Sequence, residues 1–312
     1  MCIYKQPILL LTICIVCFCA CNTKKEEEQP YIWQAPDIYS LPATQEAAQI
    51  KYGRDLVANT AHYLGPKGKV LQISNGMNCQ NCHLDAGTRL SGNCFASVAT
   101  AYPKYRDRSG RVETIAYRIN ECMERSMNGK ELDSNGKEMQ AMIVYIKWLG
   151  KDVPKHAAEL GVGSIKIDFI SRTADTAKGK AVFVVHCQRC HMDGGGGMIK
   201  PDSGSYIYPP VWGKHSYNVS AGMYRLTRLA AFVKYNMPYT GVTVAPKLTD
   251  EEAWDVAAYI NSRERPEKFF SYDWKDLKKK PVDYPFGPYA DTFSATQHKY
   301  GPFTSMNKQS KK

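Results

Sequence analysis

Cys79-Gln80-Asn81-Cys82-His83 and Cys187-Gln188-Arg189-Cys190-His191 decide the reading of this 312-residue chain. Each is a C-x-x-C-H run, two thiols three positions apart followed at once by an imidazole. On a tight turn the thiols reach the two vinyl groups of one porphyrin, and the histidine becomes the proximal ligand of its iron. Chance gives roughly 0.002 such matches in a chain of this length. A zinc site would need four ligands, and no second C-x-x-C lies close to either motif. Two covalently bound haem c groups (iron) are therefore expected, one on Cys79, Cys82 and His83, the other on Cys187, Cys190 and His191.

The motifs sit in a repeated frame. Upstream lie Gly53-Arg54-Asp55-Leu56-Val57 and Gly179-Lys180-Ala181-Val182-Phe183. Each reads as the start of a helix whose glycine admits a close crossing. Downstream, Met139, Met142, Ile143, Ile146 and Leu149 share one helical face, and Ala253, Trp254, Val256, Ala257 and Ile260 share another. Thr249 and Glu252 form a capping box ahead of the second. Tyr145-Ile146 and Tyr259-Ile260 match in place. Paired helices around each motif resemble the cytochrome c fold. The expected fold is mostly α, with two cytochrome c-like domains over 45–150 and 172–264. Residues 151–171 join them, with Val162-Gly163-Ser164 as a flexible point. The tail over 265–312, rich in Tyr and Pro, is expected to wrap the surface.

Lys+Arg number 41 against 30 Asp+Glu, a net charge of +11, and 44% of residues are hydrophobic. That composition excludes a disordered or collagen-like chain. Of the 11 cysteines, Cys2, Cys14, Cys17, Cys19 and Cys21 crowd the first 21 residues, and the other six are too few for a disulfide scaffold. Ile8 to Ala20 is an almost unbroken apolar run, shorter than the about 20 residues that cross a bilayer and sized like a signal-peptide core. It ends in Phe18-Cys19-Ala20-Cys21, which resembles a bacterial lipoprotein cleavage site with Cys21 as the lipidated residue. Residues 1–20 then form a signal peptide and 21–44 a polar tether. The body is expected outside the cytoplasm, periplasmic or at the cell surface, anchored to the membrane through lipid. Nucleic acid explains the positive charge less well than small anions do, because the chain is exported and carries no nucleic-acid module.

Each iron needs a sixth ligand or an open position. In the second domain Asn236-Met237-Pro238 follows a helical stretch from Leu226 to Tyr235, and Met237 resembles the usual distal methionine of cytochromes c; His215 is a weaker rival. In the first domain an offset of 114 between Tyr145 and Tyr259 sets Met123 opposite Met237 and Cys122 opposite Asn236. Cys122, Met123 and Met127 all remain candidates. Cys94 and Cys122 also read as a disulfide or as inert buried thiols. The Gly194–Gly197 run lacks the Lys-Ser/Thr ending of a phosphate loop and reads as a turn. His62, His156, His186 and His298 have no metal-like spacing.

The run Arg118-Ile119-Asn120-Glu121-Cys122-Met123-Glu124-Arg125-Ser126-Met127-Asn128-Gly129 resembles a signature of the dihaem thiosulfate dehydrogenases. Asn81-Cys82-His83-Leu84-Asp85-Ala86-Gly87-Thr88, Tyr208-Pro209-Pro210-Val211-Trp212-Gly213, Ala221-Gly222-Met223-Tyr224-Arg225-Leu226 and Lys280-Pro281-Val282-Asp283-Tyr284-Pro285-Phe286-Gly287-Pro288-Tyr289 are similar to the same family, in the same order. The resemblance implies an oxidoreductase that couples two thiosulfates into tetrathionate, or runs the reverse, and passes electrons through its haems to a redox partner such as another cytochrome. It implies His83 and Cys122 on the active-site iron, His191 and Met237 on the other, and substrate contacts at Arg108, Arg118 and Ser126. Arg106 and Arg125 are weaker candidates. Asn236 stands where some members carry a lysine ligand.

These residue types suit the chemistry. Two dianions at 4 Å repel by roughly 16 kcal/mol at an effective dielectric of 20, and arginines fork onto oxyanions to offset it. A thiolate on iron lowers the haem potential, and a cysteine that leaves the iron can hold a substrate sulfur. The alternative from another class is a dihaem electron carrier without a catalytic site, for which two His/Met irons are expected.

Overall fold

Two crossed helix pairs organise the chain in a computed structural model that describes residues 33–155, 165–201, 204–239 and 247–309. The signal-like segment, Cys21, His156 and Val162-Gly163-Ser164 lie outside the described residues. Among those described, no helix is long and apolar enough to cross a membrane.

In the first pair, Gln45–Ala58 packs on Lys137–Leu149; in the second, Thr176–His186 packs on Asp250–Ser262. Sequence-local caps start three of the four. The Thr44 side chain accepts the Ala47 N–H, Asp175 accepts those of Ala177 and Lys178, and Thr249 with Glu252 forms the expected capping box. Met139, Met142, Ile146 and Leu149 are buried on the first crossing, and Trp254, Val256 and Ala257 are fully buried on the second.

Both crossings turn on a glycine. A Cβ on Gly53 would stand 2.0 Å from the Ala141 carbonyl oxygen, and one on Gly179 would stand 1.9 Å from that of Asp255. Tyr145 and Tyr259 flank these contacts, so the matched tyrosines mark one geometry built twice. Gly53 lies in the middle of its helix, not at the start as the sequence suggested, because Thr44 caps the chain nine positions earlier. Gly179→Ala must push the helices apart, and is expected to destabilise the protein by about 3 kcal/mol. Thermal unfolding checks this, and an unchanged midpoint refutes the crossing.

Between the two helices of each pair, along the chain, a short antiparallel hairpin breaks the helical pattern. Lys104–Arg106 pairs with Arg111–Glu113 in the register Lys104↔Glu113, and Met198–Ile199 pairs with Tyr206–Tyr208. The second follows the glycine run, where Gly195 and Gly197 take positive φ. A Cβ on Gly195 would enter the Trp212 ring, so that run is a turn, as expected.

The tail does more than wrap the surface. Phe303 and Met306 are 2% exposed and complete the second domain's core. Asp273 and Trp274 reach into the first domain instead. The two domains are also tied directly: the Asn218 amide donates to the Glu124 carbonyl at 2.8 Å, and that of Asn75 donates to the Ser216 carbonyl at 3.2 Å.

Candidate functional site

The two C-x-x-C-H runs form tight turns with the same internal bonding. The His83 N–H donates to the Cys79 carbonyl at 2.9 Å, and the His191 N–H donates to that of Cys187 at 3.0 Å. Behind the first turn, the buried Thr60 hydroxyl accepts the Cys79 N–H at 3.0 Å. Each imidazole sets Nδ1 against a backbone carbonyl: His83 on Asn93 at 2.7 Å, His191 on Pro209 at 2.8 Å. A carbonyl only accepts, so Nδ1 carries the proton and Nε2 keeps its lone pair for a metal. Burial favours the same neutral form. It pushes His83 down to about 4 and lowers His191 as well.

Burial acts on three of the four thiols as well. Burial pushes Cys79 up to about 11, Cys82 up to about 12 and Cys187 up to about 12. Among the described residues no group of three or more His, Cys, Asp or Glu could hold a bare metal ion. Two pairs of thiols, each beside an imidazole whose Nε2 keeps its lone pair, fit a porphyrin and its iron better than zinc.

A cavity of about 690 Å³ adjoins them, within the range of cofactor sites. Cys187, Cys190, His191 and Met237 all line it, with Phe183, Leu229, Phe232 and Ile260 as apolar walls. The structure therefore brings together the residues expected to hold the second haem. His215 is exposed and takes no part in the lining. The cavity continues to Met77, Asn78 and Cys82 of the first domain. Asn236 serves a different purpose from a ligand: its amide donates to the Ser91 carbonyl at 2.9 Å, and its oxygen accepts the Ser91 hydroxyl at 2.9 Å.

Cys122 lies on the Ile115–Arg125 helix, capped by Thr114. It lies within electrostatic reach of the first haem-binding turn, adding to the burial that raises Cys79 and Cys82. Met123 and Met127, at 1% and 2% exposure, are core residues. The described cysteines are all free, and Cys94 is buried, accepting the Ala96 N–H at 3.3 Å. Arg118, Cys122 and Ser126 follow each other at i, i+4 and i+8, on one face of the helix and its C-cap. The guanidinium of Arg118 is raised chiefly by the neighbouring Cys122. Ser126 donates its backbone N–H to the Cys122 carbonyl at 2.9 Å.

The other arginines separate by their partners. Arg118 and Arg108 reach the buried Glu121 at 3.2 Å and 3.8 Å. Burial, then the nearby Arg125, pushes Arg108 down to about 10. Arg106 stands 4.0 Å from Glu113. Arg125 is 1% exposed and forks onto Asp273 at 2.6 Å and 2.8 Å, which makes it a structural ion and not a substrate contact. Sequence reasoning missed Glu113, Glu121 and Asp273, the carboxylates that fix this cluster. It also missed Arg228 of the Leu226–Asn236 helix, whose guanidinium is lowered by desolvation and then by Arg225, Asp283 opposing, and by Arg106 and Arg118. The i, i+4 spacing of Arg118 and Cys122 was a signal within reach; the partners from the tail were not.

Residues 70–154 match the family described as SoxA/TsdA, cytochrome c domain, and residues 176–264 match cytochrome c. The thiosulfate dehydrogenase of Psychrobacter arcticus is 36% identical over 233 residues, 75% of this chain and 68% of that protein. That of Stutzerimonas stutzeri is 34% identical over 235 residues, covering 75% and 73%. The solved thiosulfate dehydrogenase (TsdBA) of Marichromatium purpuratum superposes with a TM-score of 0.69 at 35% identity over 76% of this chain. The chain spans half, 50%, of that solved chain's length.

Proposed function

The chain belongs to the thiosulfate dehydrogenase family of dihaem c-type cytochromes, and from that premise we propose that it joins two thiosulfate ions into tetrathionate and delivers the electrons to a redox partner. It carries two covalently bound haem c groups, attached through Cys79 and Cys82 and through Cys187 and Cys190. His83 with Cys122 would hold the first iron, and His191 with Met237 the second. When bound, these groups supply the one-electron acceptors and the relay that the coupling requires.

The observation that carries the reading is Cys122, which shares a helix face with Arg118 and lies within electrostatic reach of Cys79, Cys82 and that guanidinium. Arg118 is half-buried and open to solvent on one side, so it can fork onto a sulfonate while Glu121 holds it in place. Arg108 adds charge from behind, and Ser126 places a hydroxyl at the end of the same face. Together these groups lower the repulsion between two dianions near the Cys122 sulfur, which would bond the sulfane sulfur of the first with loss of two electrons to the haems and would leave as thiolate when the second attacks that sulfur to give tetrathionate. The net charge of +11 draws the anions in. The same residues serve the reverse reaction. The Phe18-Cys19-Ala20-Cys21 run supports export and a lipid anchor on Cys21 at the periplasmic or outer face of a membrane.

Purified haem-loaded protein mixed with thiosulfate and ferricyanide is expected to form one tetrathionate for every two ferricyanides reduced. An electron paramagnetic resonance spectrum of the ferric protein should contain one low-spin centre with thiolate ligation. No tetrathionate, from protein whose two haems both reduce with dithionite and both show methionine ligation, would make it an electron carrier instead.

A further inference from the structure

Three arginines are buried among the described residues: Arg108, Arg125 and Arg265. The first two reach carboxylates of the chain, Glu121 and Asp273. Arg265 does not. It is 9% exposed, and its Nε and Nη1 have no hydrogen-bond partner. No ion pair with a carboxylate is formed by it among the described residues. Only Nη2 is used, donating to the Ile260 carbonyl at 2.8 Å and to that of Val211 at 3.4 Å. The guanidinium lies against two aromatic rings, 4.3 Å from the centroid of Tyr217 and 5.0 Å from that of Tyr224.

Rings soften the loss of water around a cation but do not replace a counter-charge. A guanidinium that leaves two donor nitrogens bare in the interior is a group whose partner is supplied from outside the chain. Val211, Tyr217 and Ile260, three of the residues around it, all line the cavity shared by the two haem-binding turns. A haem c brings two carboxylates into such a cavity. Arg265 can receive one, because Nε and Nη1, on separate edges of the guanidinium, are each free to donate a charge-assisted bond to a carboxylate oxygen.

We propose that Arg265 is the buried counter-ion of a haem propionate, which accepts a single charge-assisted bond from Nε or from Nη1, while Nη2 is held in place by the Ile260 and Val211 carbonyls. This rests on the two attached haems and not on the identity of the substrate. Arg265 is thus a positioning residue, and it sets the potential of the haem it pairs with. A nearby positive charge favours the reduced iron, so removing it lowers the midpoint.

Potentiometric titration of the full-length, doubly haem-loaded protein tests this. Arg265→Gln is expected to lower one midpoint by about 59 mV, a tenfold shift of that haem's redox equilibrium, and leave the other in place. Arg265→Lys keeps the charge and should restore most of the shift. Repeating the Gln titration in Cys187→Ala/Cys190→Ala protein, which retains the first haem, assigns the propionate. A shift that persists there belongs to the first haem, and one that vanishes belongs to the second. Unchanged midpoints in Arg265→Gln overturn the proposal, and so do equal shifts in the Gln and Lys proteins. If the Gln protein does not fold, the propionate bending band in the resonance Raman spectrum of Arg265→Lys decides. A displaced band supports the pairing, and a wild-type band overturns it.

Discussion

Cys122→Gly is expected to lower tetrathionate formation by about three orders of magnitude or more while both haems stay attached. Attachment depends on Cys79, Cys82, Cys187 and Cys190, none of which is altered. The helix from Ile115 to Arg125 should survive, since a glycine in its last turn costs about 1 kcal/mol and the Thr114 cap and the Glu121 network remain. What disappears is the sulfur on the Arg118 face, which on the proposed reading is both an iron ligand and a holder of substrate sulfur. Thiosulfate-dependent ferricyanide reduction measures the rate, and the loss of the thiolate-type ferric signal should accompany it. Wild-type turnover by a glycine variant with both haems in place would end the catalytic role of Cys122.

Arg125→Ala should fail in a different way. Its guanidinium joins Asp273 by two bonds, meets Glu121 at 3.3 Å and lies 3.9 Å over the Phe270 ring. Truncation leaves Asp273 and Glu121 buried and short of positive charge, which costs about 3–5 kcal/mol. For a protein of this size that is a fall of roughly 10 °C in Tm. It also unfastens the tail from the first domain. Haem attachment and the thiosulfate KM of the surviving folded fraction should change little. A raised KM at an unchanged Tm would reassign Arg125 to the substrate.

The contrast between these two residues shows what the sequence could and could not convey. C-x-x-C-H is legible because its chemistry is complete within five consecutive residues. The helix pairs are legible because burial imposes a 3.6-residue period on Met139–Leu149 and Ala253–Ile260. Lys104–Arg106 and Arg111–Glu113 gave no such sign: three polar-rich residues per strand carry no alternation, and the hairpin shows only once it is paired. Arg125 and Arg118 look alike in the run from Arg118 to Gly129. They part company through Asp273, which lies 148 positions away. The carbonyls of Asn93 and Pro209 that fix the imidazole tautomers are backbone groups, which no side-chain pattern announces.

The Asn236–Ser91 bridge bears on how such a chain arises and how far it can be recombined. Two matched halves suggest a duplicated module, yet each half now completes the other at the residue just before Met237. Grafting the second half onto a foreign cytochrome would strip Asn236 of both its Ser91 bonds and loosen the loop that presents the methionine. The tandem has become a single heritable unit, and its halves should no longer trade places with those of unrelated proteins.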